Sequence, residues 1–180
     1  MQFFLTSPMK KLMFIVTMVL STIIARAQNP LYYEETEFAK YGAALTGGES
    51  RFATVLSTDI VTGEKVGYLK IYTSNNTGDY SNMLTRAEID AVLAAFKYAS
   101  DNLIGSKPKA DVSVKYEGIN GGLIGVRSYG SGISLQWQVF SQPVGDVKGS
   151  FNSFSASNLS KLIVGVQECA SSIDAFLSGN

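Results

Sequence analysis

Between Asp111 and Phe140 the chain runs through three short alternating segments separated by glycine turns, and this pattern restricts the fold more than any other feature. In the first segment Val112, Val114 and Tyr116 alternate with Asp111, Ser113, Lys115 and Glu117, the period of a strand with one covered face. Asn120-Gly121-Gly122 forms a turn, and a second strand is expected from Leu123 to Tyr129. Gly130-Ser131-Gly132 then leads into Ile133 to Phe140, where Ile133, Leu135, Trp137 and Val139 alternate with Ser134, Gln136 and Gln138. Turns this short leave no room for a crossover, so the three strands form an antiparallel meander.

A long amphipathic segment flanks this meander on each side. Thr85-Arg86-Ala87-Glu88 has the spacing of a capping box, and Leu84 with Ile89 supplies a hydrophobic staple. The helix that follows carries Ile89, Val92, Leu93, Phe96 and Leu103 on one stripe and ends near Ile104-Gly105. A second helix is expected from Ser155 or Ser157 to about Leu177, with Leu159, Leu162, Ile163, Val166, Ala170, Ile173 and Leu177 on its stripe. Gly165 opposes helix propensity within it and marks a close approach to another element.

Upstream, Arg51 to Thr58 and Lys65 to Tyr72 read as a hairpin, Gln28 to Leu45 as a short helix, and Thr73 to Met83 as a polar loop. Ser141 to Ser153, with Pro143, Gly145 and Gly149, also reads as a loop. The expected fold is α+β: a two-layer sandwich of one mostly antiparallel sheet of about five strands, with two long helices on one face. Its cadence suggests a duplicated strand-strand-helix unit.

The first 27 residues are set apart from this domain. Lys10 and Lys11 precede the apolar run Leu12 to Ile24, and Ala25-Arg26-Ala27 offers a small-x-small cleavage pattern before Gln28, the features of a signal peptide. The run is shorter than the roughly 20 residues of a membrane-spanning helix, so no stable membrane insertion is expected after cleavage. Residues 28–180 then form a single domain of about 150 residues. The chain balances 15 basic against 15 acidic residues, and removing Lys10, Lys11 and Arg26 leaves the remainder mildly acidic. No basic run provides the positive field that nucleic acid requires.

The sequence contains no histidine and one cysteine. It therefore lacks imidazole catalysis, Ser/His/Asp and Cys/His nucleophile arrangements and any intrachain disulfide. Cys169 lies on the apolar side of its helix, between Val166 and Ile173. Glu34, Glu35 and Glu37 read as a solvated face, and no metal or cofactor motif is present; the glycine pairs fit turns rather than phosphate loops.

The binding candidates are Arg127, Tyr129, Tyr68, Tyr72 and Trp137. An arginine among aromatics engages anionic or planar groups, and exposed tyrosines stack on sugars or peptides; the register of Trp137 places it toward the core. The resulting expectation is a bacterial protein, secreted or periplasmic, acting as a non-enzymatic binding module for a peptide, glycan or protein surface. The alternatives are a histidine-free hydrolase built on paired carboxylates and a structural envelope protein that forms a homodimer.

Overall fold

The computed structural model describes residues 29–42, 48–108, 110–119, 121–130, 134–145, 147 and 150–179. The segment expected to be a signal peptide lies outside the described residues, as do Ile133 and two of the three residues of the turn before it. Leu31–Asn180 forms one unit, with two antiparallel sheets and two long helices. Strands β1 (Leu31–Gly42), β2 (Glu49–Asp59), β3 (Lys65–Asn75) and β4 (Gly78–Leu84) form a four-stranded meander, followed by α1 (Arg86–Asn102). Strands β5 (Ser113–Glu117), β6 (Leu123–Tyr129), β7 (Gln136–Gln142) and β8 (Asn152–Ser155) form a second meander, followed by α2 (Leu159–Ser178). The repeated unit is thus four strands and a helix, in place of two strands or three.

The expectation of one five-stranded sheet fails at three segments, each for an identifiable reason. Residues 31–42 form an edge strand instead of a short helix. A bulge between Glu37 and Ala39 inserts one residue into the β1–β2 ladder. Phe38 and Tyr41 consequently share a face at a spacing of three, which mimics a helical turn, and both rings approach Phe52 at 6.5 and 6.2 Å. The supposed loop 73–83 is a hairpin, with Asn75 paired to Gly78 and the Asn75 side-chain carbonyl accepting the Thr77 N–H at 2.9 Å. Strand β8 sits in the other supposed loop, and its buried Asn152 donates from Nδ2 to Ser50 Oγ at 2.9 Å.

Both helices bury most of the stripe read from the sequence, while Leu177, expected on the second, is 44% exposed. Leu93 is 8% exposed and Val166 0%, so the apolar ridges face a core. They do not share one sheet, however. Helix α1 packs mainly on β5 and β6, α2 packs on β2 and β3, and the helices also touch each other. Each helix therefore covers the sheet of the other half, and one continuous core joins Phe52, Leu69, Ile89, Phe96, Val126, Val139, Phe154, Leu162 and Ile173. Gly165 makes the close approach expected of it: a Cβ there would lie 2.5 Å from Phe38 Cδ2.

Glu88 locks this exchange. Its Oε2 accepts the Thr85 N–H and the Thr85 hydroxyl, each at 2.8 Å. Its Oε1 accepts the Tyr116 hydroxyl of β5 and the Ile119 N–H of the β5–β6 turn, each at 3.2 Å. Burial opposes ionisation of this carboxylate, but the bonds, led by that from the Thr85 N–H, outweigh it and hold its pKa below the usual range. The capping residue foreseen for α1 is thus also the tie between α1 and the second sheet. Among the described residues, no helix is long and apolar enough to cross a membrane.

Candidate functional site

Because the helices lie against the inner faces, each sheet turns an outer face away from the core. On the first sheet this face carries Tyr68, Lys70 and Tyr72 from β3 opposite Val55, Ala53 and Arg51 from β2. The small Ala53 leaves a hollow of about 140 Å³, walled by Glu35, Glu37, Arg51, Lys70 and Tyr72. Its charges lie in opposite-sign pairs, although the buried Arg51 Nε makes no hydrogen bond among the described residues. Lys70 Nζ donates to Glu35 at 2.7 Å, while Arg51 lies 3.9 Å over the Tyr72 ring and 3.2 Å from Glu49 Oε1. The hydrogen bond from Lys70, assisted by one from Tyr33, lowers the Glu35 pKa. Tyr68 and Tyr72 therefore belong to a self-neutralised surface.

The outer face of the second sheet differs in its electrostatics. Residue pairs Ser113↔Arg127 and Lys115↔Gly125 define the β5–β6 register. A side chain at Gly125 would meet the Val114 carbonyl and Lys115 Cα, so β5 crosses tightly over this point. The pairing continues before β5, where the Ser128 N–H donates to the Val112 carbonyl at 2.8 Å and Ser128 Oγ accepts the Val112 N–H at 2.9 Å. Continued register places Asp111 opposite Tyr129. With side chains alternating along each strand, Asp111, Ser113, Arg127 and Tyr129 form four corners on one face.

These residues, with Val112, Ser128 and Gly130, line an open groove of about 690 Å³. The size suits a small ligand or one end of a longer one. The Arg127 guanidinium lies 4.5 Å over the Phe151 ring and within 6.0 Å of Phe140 and Tyr129, and the Phe140 and Phe151 rings stack at 5.9 Å. Its Nη2 makes one long hydrogen bond, 3.5 Å to Gln138 Oε1, and its buried Nε has no partner among the described residues. Desolvation lowers its pKa, opposed through space by Tyr129 and Asp111. By contrast, Arg86 holds Asp174 through Nε at 2.9 Å and Nη2 at 3.0 Å.

The structure thus brings Arg127 and Tyr129 together and leaves Tyr68 and Tyr72 on the other sheet. Trp137 pairs with Ser128 on the inner side, half-buried against the core, and its buried Nε1 has no partner among the described residues. Asp111 and Ser113 line the groove and Phe151 backs the Arg127 guanidinium, and sequence reasoning singled out none of the three. The alternation of Asp111 and Ser113 was legible, but its relation to Arg127 depends on register, and Phe151 precedes a strand whose polar sequence concealed it. A scan of protein-family models gave no match to this chain, and neither did a search of curated proteins.

Proposed function

We propose that this chain is an exported, non-enzymatic recognition module that binds a carboxylate-bearing ligand in the Arg127 groove. The observation that carries this reading is the Arg127 guanidinium itself, bedded against aromatic rings with its buried Nε unpartnered and, unlike Arg51, with no carboxylate in ion-pair contact among the described residues. A buried charged donor is stabilised by a matching acceptor, and a planar carboxylate fits the guanidinium fork with two parallel hydrogen bonds. Tyr129, 47% exposed, offers an aromatic wall for the ligand's apolar part. A peptide, an acidic glycan or a protein surface can present such a group, and the leader read from the first 27 residues supports meeting it outside the cytoplasm.

The carboxylate-hydrolase alternative needs an acid with a raised pKa beside a second carboxylate. Among the described residues, Glu35, Asp79 and Glu88 are all shifted the other way. A homodimer draws its support from a different place. β1 is an edge strand, and exposed Leu31, Tyr32 and Tyr33 sit beside exposed Ile60 and Val61, although the β1 bulge interrupts the edge such a dimer would pair. Solution mass separates the two readings.

The test is calorimetric titration of the purified full chain with benzoate and with 3-phenylpropionate. Saturable binding, weakened at least about tenfold by Arg127→Gln and unchanged by Arg51→Gln, is expected from losing a charge-assisted pair. Equal binding by all three proteins, or none by the parent, would overturn the proposal.

A further inference from the structure

The groove contains an acid as well as a base, and their placement narrows the ligand class. Asp111 and Arg127 occupy diagonal corners of the four-residue patch, on adjacent strands and on the same face. Diagonal neighbours of this kind have Cα atoms roughly 7–8 Å apart, within reach of long side chains. Opposite charges so placed ordinarily pair. Here the guanidinium is drawn over Phe151, on the side of β7 and β8, and Asp111 acts on it through space without a hydrogen bond between them. Asp111 is exposed, and its carboxylate has no partner among the described residues.

A simple anion would satisfy Arg127 but sit within the field of Asp111. A cation would meet the reverse conflict. The ligand that satisfies both carries a carboxylate and, a short distance away, a nitrogen donor. We infer, on the basis of the carboxylate reading above, that the groove takes an α-amino carboxylate head, with its carboxylate on Arg127 and its α-nitrogen N–H directed to Asp111. Ser113, paired with Arg127, and Tyr129 complete the lining, and in this pose the Tyr129 ring flanks the ligand side chain. Two sources present this chemistry: a free amino acid, through its ammonium, and the C-terminal residue of a peptide, through its amide N–H.

Titrations of the full chain with phenylalanine, 3-phenylpropionate, phenylalaninamide and glycyl-phenylalanine separate these possibilities. Phenylalanine or glycyl-phenylalanine is expected to bind at least about tenfold tighter than 3-phenylpropionate, the increment of one charge-assisted hydrogen bond. Phenylalaninamide, which lacks the carboxylate, should not bind. Asp111→Asn should reduce the preference over 3-phenylpropionate severalfold while leaving 3-phenylpropionate binding itself intact or improved, and Arg127→Gln should weaken every carboxylate probe. Tighter binding of phenylalanine than of glycyl-phenylalanine identifies a free amino acid, and the reverse order a chain terminus. If 3-phenylpropionate binds through Arg127 but the preference is absent, or survives Asp111→Asn, the α-amino carboxylate assignment falls and the carboxylate reading stands. If no carboxylate binds, both fall.

Discussion

Replacing Glu88 by glutamine tests whether one buried carboxylate joins the two halves. The side chain is 8% exposed and accepts four hydrogen bonds, two on each oxygen. Glutamine keeps one acceptor oxygen and turns an NH2 group toward donors. Hydroxyls can rotate to accept from it, but the Thr85 or the Ile119 N–H is left facing another donor. An unpaired buried donor costs ~1–3 kcal/mol, and charge-assisted bonds contribute more than neutral ones, so the expected loss is about 2–4 kcal/mol. In a domain of this size that lowers Tm by roughly 5–15 °C. The comparison should be made by thermal unfolding across pH. Because the folded pKa of Glu88 is depressed, its stabilisation is complete above the unfolded value of about 4.3 and is lost as pH falls through the folded value. The gap between the parent and Glu88→Gln should therefore be full at pH 7 and shrink below about pH 4. Equal melting temperatures at pH 7, or a gap that persists undiminished in acid, would refute the assignment.

Two further predictions concern the packing. Gly165→Ala should lower stability by about 1 kcal/mol in urea unfolding, because overpacking against Phe38 costs ~1–3 kcal/mol and exceeds the ~1 kcal/mol gain in helix propensity; a stabilised variant would contradict the contact. Residues 28–108 and 109–180 expressed separately should each lack a cooperative thermal transition and regain one on mixing, since each helix covers the other half's sheet; cooperative folding of either half alone would contradict the exchange.

What the sequence revealed follows from where burial is one-sided. The stripes through Leu93 and Val166 were legible because their periodicity reflects one buried face, the Thr85–Glu88 capping box from its spacing, and the 123–129 strand from the glycine turns on either side of it. An apolar stripe does not say which sheet it meets, so the exchange of helices was not legible. Strands β4 and β8 were hidden because Asp79, Ser81, Asn152 and Ser153 gave them no apolar alternation, and in β8 the polar groups are buried and hydrogen-bonded. The bulge at Glu37–Ala39 converted a strand spacing into a helical one. At the groove, Arg127 and Tyr129 were visible as residue types, whereas Asp111 became significant only once register set it diagonally across from Arg127.

The most direct measurement of the central claim is the Arg127 Nε–H resonance, assigned by its loss in Arg127→Gln and followed by nitrogen-15 NMR during titration with 3-phenylpropionate. A saturable shift of this resonance is expected while that of Arg86, already paired with Asp174, stays in place. An Arg127 signal that does not move at saturating carboxylate, or that moves no more than that of Arg86, would contradict it.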